Sequence, residues 1–275
     1  MFLSLTGLAI SLAALVWGAD KFIESSSLLA KKLGLSELTI GLTIVALGTS
    51  APEIFVGISS VLNGSEALAM GTIIGSNISN IALIFGVSCI GISLAPSKTS
   101  IIQFIPFIIG TIILGLGLAD LKITKAESWE FLILFAVFLF ITYKWRAPDL
   151  SEVSDEDEIK LSSTMLFFTV GLFALIGGSN FAVIHAEQIA IMLEVPELII
   201  GLTIIAIGTS LPELAATISA IIKKKNDMVI GNVIGSNVMN IALVVPIIGF
   251  FSDVSFDSTI LSRDYLVMTV ATVLF

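Results

Sequence analysis

The chain contains an internal duplication, in which one stretch of sequence occurs twice at a constant offset. Residues 37–53 read ELTIGLTIVALGTSAPE, and residues 197–213 read ELIIGLTIIAIGTSLPE. The match continues downstream, where GTIIGSNISNIAL at 71–83 returns as GNVIGSNVMNIAL at 231–243. The offset is 160 positions in both blocks, so the two copies align without an insertion. Any structure that the first copy forms is therefore expected again in the second.

The composition places both copies in a lipid bilayer. Of the 275 residues, 56% are hydrophobic and 13% are charged, against about 25% charged in an average soluble domain. Several apolar stretches approach the roughly 20 residues that a helix needs to cross the hydrocarbon core, and their continuity excludes a barrel. The expected surroundings are therefore lipid. The net charge of −9 is concentrated in one loop and does not indicate nucleic-acid binding, and no obligate protein partner is inferred.

The apolar stretches predict an all-α polytopic membrane protein built from two inverted repeats. Residues 1–146 form the first repeat of five transmembrane helices, 147–162 an acidic linker, and 163–275 the second repeat. An odd number of spans per repeat makes the second copy enter the membrane from the opposite side. Phe275 aligns with a position inside the fourth span, so we expect a form truncated after the ninth helix. The predicted spans are 2–28, 37–61, 68–94, 101–119, 127–146, 163–192, 197–222, 228–251 and 264–275.

The distribution of Lys and Arg predicts the orientation. Nine of these residues follow the first, third, fifth and seventh spans, and three lie in the loops on the other side. The side with more basic residues is usually cytoplasmic. The chain is therefore predicted to be a multi-pass protein of the cell membrane (inner or plasma), with the N-terminus outside and the acidic linker in the cytoplasm.

Two smaller features receive structural interpretations. The lone Cys89 lies in an apolar segment and is interpreted as a buried packing residue, because free cysteine is usually buried. Asp20, Lys21 and Glu24 lie toward the cytoplasmic end of the first span, where a local ion pair along the helix is expected.

Each GTSxPE motif contains a proline that should interrupt its helix. Pro52 has no amide hydrogen for the carbonyl of Gly48, and Pro212 has none for that of Gly208. Inside a membrane such interruptions are tolerated where the backbone lines a cavity, as in transporters. The carbonyl groups of Ala46 and Ala206 are therefore candidate ion ligands.

Polar side chains of the same motifs complete a candidate site. Thr49 and Ser50 lie four and three residues before Glu53, so all three can face one cavity. The combined set contains two carboxylates, hydroxyls, amides and carbonyls, and calcium takes about six to eight oxygen ligands. Soft-metal ligands are absent near it. The remaining side chains in this metal-ion set are Ser76, Asn80, Thr209, Ser210, Glu213, Ser236 and Asn240.

The two glutamates need a compensating charge. A carboxylate at the centre of a bilayer costs about 2.5–3.5 kcal/mol even on insertion scales. No Lys or Arg lies in the same segments, and two negative charges balance one divalent cation. The glycines of GTIIG and GNVIG, by contrast, form small-xxx-small patterns and are interpreted as helix-packing positions.

The paired motifs GTSAPE with GSNISN and GTSLPE with GSNVMN resemble the two α-repeats of the cation/calcium exchanger superfamily, most closely its prokaryotic sodium/calcium exchanger branch. The resemblance covers both repeat cores and extends to GADKFIESSSLLAKKLGL in the first helix. It implies ten helices, alternating access and calcium and sodium ions as the transported partners, with no resident cofactor and no enzymatic activity. It also implies that Glu53 and Glu213 bind both ions and that Asn80 and Asn240 lie at the centre.

The resemblance predicts a sodium/calcium antiporter that exports cytoplasmic calcium. Two rivals remain open: a calcium/proton antiporter on the same fold, and a cation channel or calcium-binding membrane protein without antiport. Proton-coupled relatives typically show GNxxE in place of GTSxPE, which favours sodium. Asn240 stands where potassium-dependent relatives carry Asp, which disfavours potassium coupling.

Overall fold

A computed structural model describes residues 1–90, 101–146, 161–195 and 206–275 of the chain. Within these ranges all regular secondary structure is helical, as the apolar stretches predict. Positions 147–160 of the predicted acidic linker lie outside the described residues.

Six helices in the described ranges are long and apolar enough to cross a membrane, and a bent pair of helices adds a seventh span. They correspond to the predicted spans within a few residues, so the chain is a multi-pass membrane protein. The helices are α1 (Phe2–Leu33), α2 (Glu37–Thr49), α3 (Ala51–Leu62), α4 (Glu66–Ser88), α5 (Ile102–Asp120), α6 (Lys125–Lys144), α7 (Leu161–Met192), α8 (Ala206–Thr209), α9 (Leu211–Ile222), α10 (Asn226–Phe251) and α11 (Ile260–Tyr265 followed by Leu266–Leu274).

Three of the predicted spans differ from the described helices or extend beyond the described residues. The span predicted at 197–222 is described from Ala206 onward, as the short helix α8 followed by α9. The span predicted at 264–275 begins earlier, because a π-helical turn starts at Ile260. The end of the span predicted at 68–94 lies outside the described residues beyond position 90.

Local sequence signals set several helix ends. The side chain of Ser36 accepts the amide of Thr39 at 3.2 Å and caps α2. Helix α1 ends at Gly34, whose φ of 63° and ψ of 32° are left-handed and suit glycine. At the start of α6, Thr124 and Glu127 form a reciprocal capping box.

The two longest helices, α1 and α7, run antiparallel with their backbones in contact. A Cβ atom added at Gly178 would lie 2.5 Å from the nitrogen of Leu15, and one at Gly171 would lie 2.7 Å from that of Phe22. Near the far end of the pair, Ser4 Oγ donates to Gln188 Oε1 at 3.2 Å. The positions on α7 fall as those on α1 rise, so equivalent helices of the two repeats point in opposite directions, as inversion requires.

The small residues of the second repeat pack as predicted. A Cβ at Gly231 would approach the backbone of Leu38 to 2.6 Å, and Gly235 is equally close to Leu42 in α2. Within the described ranges nothing lies within 4 Å of the corresponding position at Gly71. The segment that symmetry would place against Gly71 falls in 196–205, outside the described residues. The packing role is confirmed for GNVIG and stays a prediction for GTIIG.

The prediction that Cys89 is buried is wrong, because its side chain is exposed. Cys89 follows the last residue of α4, where the chain leaves the helix in a turn. In a membrane protein apolar residues also form the outer surface, where large side chains such as Phe2, Phe55 and Val273 are exposed. An apolar segment therefore does not predict burial as it does in a soluble protein.

Ion pairs join several elements at one end of the bundle. Lys21 Nζ lies 2.9 Å from Glu24 Oε2, which confirms the local pair. Lys223, just beyond α9, lies 2.6 Å from Asp20 Oδ1, and Lys225 pairs with Glu37. These longer-range partners were not predicted, and they show that the 223–225 turn lies beside α1 and the start of α2.

Candidate ion site

Both prolines interrupt the backbone, and the break falls two residues before each of them. Ser50 separates α2 from α3 with φ of −82° and ψ of 2°, and the axis bends by 50°. Ser210 separates α8 from α9 with φ of −90° and ψ of 4°. Pro52 and Pro212 thus lie in the first turn of the new helix, where a missing amide hydrogen is tolerated. The break predicted from the sequence is confirmed in both copies.

The carbonyl groups around the two breaks are satisfied differently. The carbonyl of Gly208, which loses its helical partner to Pro212, accepts Ser179 Oγ of α7 at 3.0 Å. The carbonyl of Ala46 accepts the amide of Ser50 at 3.0 Å and the hydroxyl of Thr49 at 3.4 Å. Each proline therefore removes the helical partner of a glycine carbonyl, whereas the carbonyl of Ala46 keeps its helical partner, the amide of Ser50. Helix α8 begins at Ala206, whose side chain lies outside the described part of the chain.

The two glutamates occupy equivalent, buried positions. Glu53 lies in the first turn of α3 and Glu213 in the first turn of α9, and each is 2% exposed. The first turn of a helix presents free amide groups and a positive dipole end, which favour a carboxylate. Helices α2, α3, α4, α9 and α10 contain no Lys or Arg, so no basic side chain of these elements neutralises the pair.

One hydrogen bond connects the two motifs directly. Ser50 Oγ of the first repeat donates to Glu213 Oε1 of the second at 3.0 Å. Because Ser50 lies three residues before Glu53, this contact brings both carboxylates to the same region. The duplicated motifs therefore build one site from two halves.

Several buried polar atoms of this region have no hydrogen-bond partner. An unpaired buried polar group costs about 1–3 kcal/mol, so a cluster of them needs an occupant. The oxygens suit a hard cation, and among the described residues no group of three or more His, Cys, Asp and Glu side chains offers an alternative metal site. The unpartnered atoms are Glu53 Oε2, Glu213 Oε2, Asn80 Nδ2, Ser236 Oγ, Asn240 Oδ1 and both polar atoms of the Asn237 side chain.

A cluster of asparagines lies where α4 and α10 meet. Asn240 Nδ2 donates to Asn77 Oδ1 at 3.2 Å, and Asn77 Nδ2 donates to the carbonyl of Asn237 at 3.3 Å. Turns of π-helix begin at Asn80 and at Asn240, and such turns are frequent at functional sites. The bond to Asn77 uses the amide nitrogen of Asn240, which leaves its oxygen for a ligand.

Most of the residues predicted for the site are buried together. Thr209 is half-buried, and Ala206 is described only as backbone. Thr49 bonds Asn232 Oδ1 at 3.2 Å, so its hydroxyl points toward α10 as well as toward Ala46. The predicted residues that are buried are Ala46, Thr49, Ser50, Glu53, Ser76, Asn80, Ser210, Glu213, Ser236 and Asn240.

Asn77, Asn237 and Asn232 were missed by the sequence reasoning. Asn77 and Asn237 repeat at the same offset as the serines of GSN, and that signal was sufficient to find them. Asn232 has no such signal, since Thr72 occupies its equivalent position and GNVIG was interpreted as packing alone.

The fold and this region define a class of protein: a helical multi-pass membrane protein with a buried cluster of carboxylate, hydroxyl and amide groups between its two repeats. A family model described as sodium/calcium exchanger protein matches residues 3–144 and 163–275. The chain therefore belongs to the sodium/calcium exchanger family, whose members are transporters and not enzymes.

Individual relatives agree with the family. The chain is 38% identical over 272 residues to the putative antiporter CaxA of Alkalimonas amylolytica, covering 96% of this chain and 85% of the relative. It is 30% identical to the sodium/calcium exchanger MaX1 of Methanosarcina acetivorans, covering 90% and 83%. Among solved structures, the sodium-calcium exchanger NCX_Mj superimposes with a TM-score of 0.82 at 25% identity, covering 99% of this chain and 90% of that one. Cation/calcium exchange is the shared activity.

Proposed function

We propose that the protein is a sodium/calcium antiporter that exports calcium from the cytoplasm, driven by the sodium gradient. The observation that carries the proposal is the buried pair Glu53 and Glu213, contributed by opposite repeats and linked through Ser50. Two carboxylates balance one calcium ion or accept several sodium ions in turn. A single site that two kinds of cation occupy alternately is what an exchanger requires.

The proposed ligands are the oxygens that the two repeats bring to this region. Glu53 and Glu213 bind calcium or sodium, and Thr49, Thr209 and the carbonyls of Ala46 and Ala206 complete the shell. Ser50, Ser210, Ser76 and Ser236 line flanking sodium positions, with Asn80 and Asn240 between them. The unpartnered oxygens of Glu53, Glu213, Ser236 and Asn240 support this assignment.

Sodium is preferred over protons as the driving ion because the centre of the site carries amides. Asn77 holds the nitrogen of Asn240, so the oxygen of Asn240 is the atom available to a cation. An amide oxygen binds a metal cation but does not take up a proton near neutral pH. The relative MaX1 is named a sodium/calcium exchanger, which supports the same choice.

The proposed orientation rests on the basic residues. Lys225 pairs with Glu37, which follows the end of α1, and Lys223 pairs with Asp20 of α1. The basic residues that follow α1 and α9 therefore lie on one side, which we take as cytoplasmic. On this assignment the N-terminus is outside and the 147–162 linker is cytoplasmic, and an inward sodium gradient drives calcium out of the cell.

The experiment is radioactive calcium uptake into vesicles that contain the purified full chain. Uptake is compared with an outward sodium gradient, with an outward proton gradient and with neither. We expect uptake with sodium, unaffected by potassium. Uptake driven by protons alone would assign the calcium/proton alternative, and uptake without any gradient would assign a channel.

A further inference from the structure

Three polar side chains from three helices form a buried chain beside the carboxylates. Thr49 Oγ1, at the end of α2, donates to Asn232 Oδ1 of α10 at 3.2 Å. Asn232 Nδ2 donates in turn to Thr217 Oγ1 of α9 at 3.5 Å. All three residues are at most 2% exposed, so water does not compete for these bonds. The chain joins the break of the first repeat to the helix that carries Glu213.

The chemistry of a hydroxyl gives this chain a direction. A threonine hydroxyl has one proton to donate and two lone pairs that accept. The proton of Thr49 has three acceptors nearby: Asn232 Oδ1 at 3.2 Å, the carbonyl of Ala46 at 3.4 Å and the carboxylate of Glu213. A cation bound to Glu213 repels that proton, and of the other two acceptors Asn232 Oδ1 is the nearer. With that proton directed at Asn232, the lone pairs of Thr49 are free to face a cation. Thr217 accepts from the nitrogen of Asn232 at 3.5 Å, and in this arrangement the amide oxygen of Asn232 faces Thr49.

The residues at the equivalent positions, 160 places away in the sequence, do not form the same arrangement. Thr72 occupies the position equivalent to Asn232, is half-buried, and donates to the carbonyl of Leu68 in its own helix at 2.9 Å. Gly57 occupies the position equivalent to Thr217 and has no side chain to accept a bond. Asn232 therefore acts on the half of the site that contains Thr49.

We infer that Asn232 is a positioning residue for ion binding, which orients the hydroxyl of Thr49 so that its oxygen faces the transported cation. The inference rests on the proposed function, since it assumes that Thr49 is a ligand. Asn232 touches no ion itself. Its effect on calcium affinity passes through Thr49.

The test is a double-mutant cycle on the purified full chain. The calcium dissociation constant is measured by equilibrium binding of radioactive calcium for the wild type, Thr49→Val, Asn232→Leu and the double variant. Thermal unfolding in a calcium chelator reports stability separately. We expect each single variant to weaken calcium binding roughly three- to tenfold, the worth of one buried hydrogen bond. The double variant should bind no more weakly than Thr49→Val alone. Thr72→Val, at the equivalent position where the hydroxyl bonds only its own helix, is the matched control and should bind as the wild type does.

Additive losses in the double variant would overturn the inference, because they would show that Asn232 acts independently of Thr49. An unchanged calcium affinity in Asn232→Leu with a lowered unfolding temperature would overturn it too, as a purely structural role. If Asn232→Leu does not fold, Asn232→Ala takes its place in the same cycle, with the same expected and contradicting outcomes. A wild type that binds no calcium would instead refute the proposed function.

Discussion

Ser50 Oγ and Glu213 Oε1, which lie 163 positions apart in the chain, form a hydrogen bond of 3.0 Å in the interior of the protein. The serine belongs to the first GTSxPE motif and the glutamate to the second. The first repeat therefore supplies a hydrogen-bond donor to the buried carboxylate of the second repeat.

Replacing Ser50 should lower the stability of the ion-free protein more than that of the calcium-bound protein. In the ion-free state the hydroxyl donates to a buried carboxylate, a bond worth about 1.5–3 kcal/mol. When calcium is bound, the cation provides most of the compensation for Glu213. Ser50→Ala should therefore lower the unfolding temperature more in a chelator than in calcium. Ser59→Ala, on the exposed side of α3, is the control. Equal losses under both conditions would contradict the expectation.

Glu53→Gln and Glu213→Gln should each abolish calcium exchange while the protein still folds. The number of charged ligands tunes calcium affinity over several orders of magnitude, so losing one of two carboxylates should weaken binding by about 100-fold or more. Both variants remove a buried charge, so the ion-free proteins should unfold at the wild-type temperature or above it. The measurement is sodium-driven calcium uptake.

The matched control for this pair is Glu130→Gln on the exposed surface of α6, which should transport normally. Glu127 is less suitable, because its side chain accepts bonds from Thr124 and caps the helix. Substantial transport by either site variant would remove both carboxylates from the proposed mechanism.

Calcium binding should weaken as the pH falls. A carboxylate coordinates calcium in its deprotonated form, and two carboxylates that share an empty site repel each other, so protons compete with the ion. The calcium dissociation constant should therefore rise steadily between about pH 7.5 and about pH 5. The same series on Asp120→Asn, an exposed acid outside the site, should coincide with the wild type. A flat profile would contradict competition between protons and calcium.

Gly178→Ala should destabilise the pairing of α1 with α7, although alanine is the better helix former. The added Cβ would lie 2.5 Å from a backbone nitrogen of α1, and overpacking of this kind typically costs about 1–3 kcal/mol. The neighbouring Gly177→Ala is the control, because among the described residues nothing lies within 4 Å of its Cβ position. That variant should be neutral or more stable by up to about 1 kcal/mol. Thermal unfolding in detergent distinguishes the two, and equal behaviour would contradict the packing described.

The sequence was most informative where the duplication and local chemistry agree. The prolines at 52 and 212 predicted both breaks, because a missing amide hydrogen acts within one turn of helix. The buried glutamates were predictable because a carboxylate in a membrane-spanning segment is costly and rarely occurs without a function. Each of these signals lies within a single helix.

The contacts that the sequence did not predict join residues from different helices. The bond from Thr49 to Asn232 spans 183 positions, and the ion pair of Lys223 with Asp20 joins α1 to the turn after α9. Neither pair produces a recognisable pattern within one segment of the sequence. The exposure of Cys89 was also unpredictable, because lipid and protein interior select the same apolar neighbours.

The backbone contact of α1 with α7 also bears on how the protein is made. Ser4 and its partner Gln188 lie 184 positions apart, so the first helix enters the membrane long before its partner exists. At roughly 5–20 residues per second, synthesis of the intervening chain lasts on the order of ten seconds or more. Throughout that time the face of α1 that will pack against α7 is without its partner helix. The contact forms only after most of the chain has been made, and two half-length chains produced together should therefore be able to assemble after synthesis.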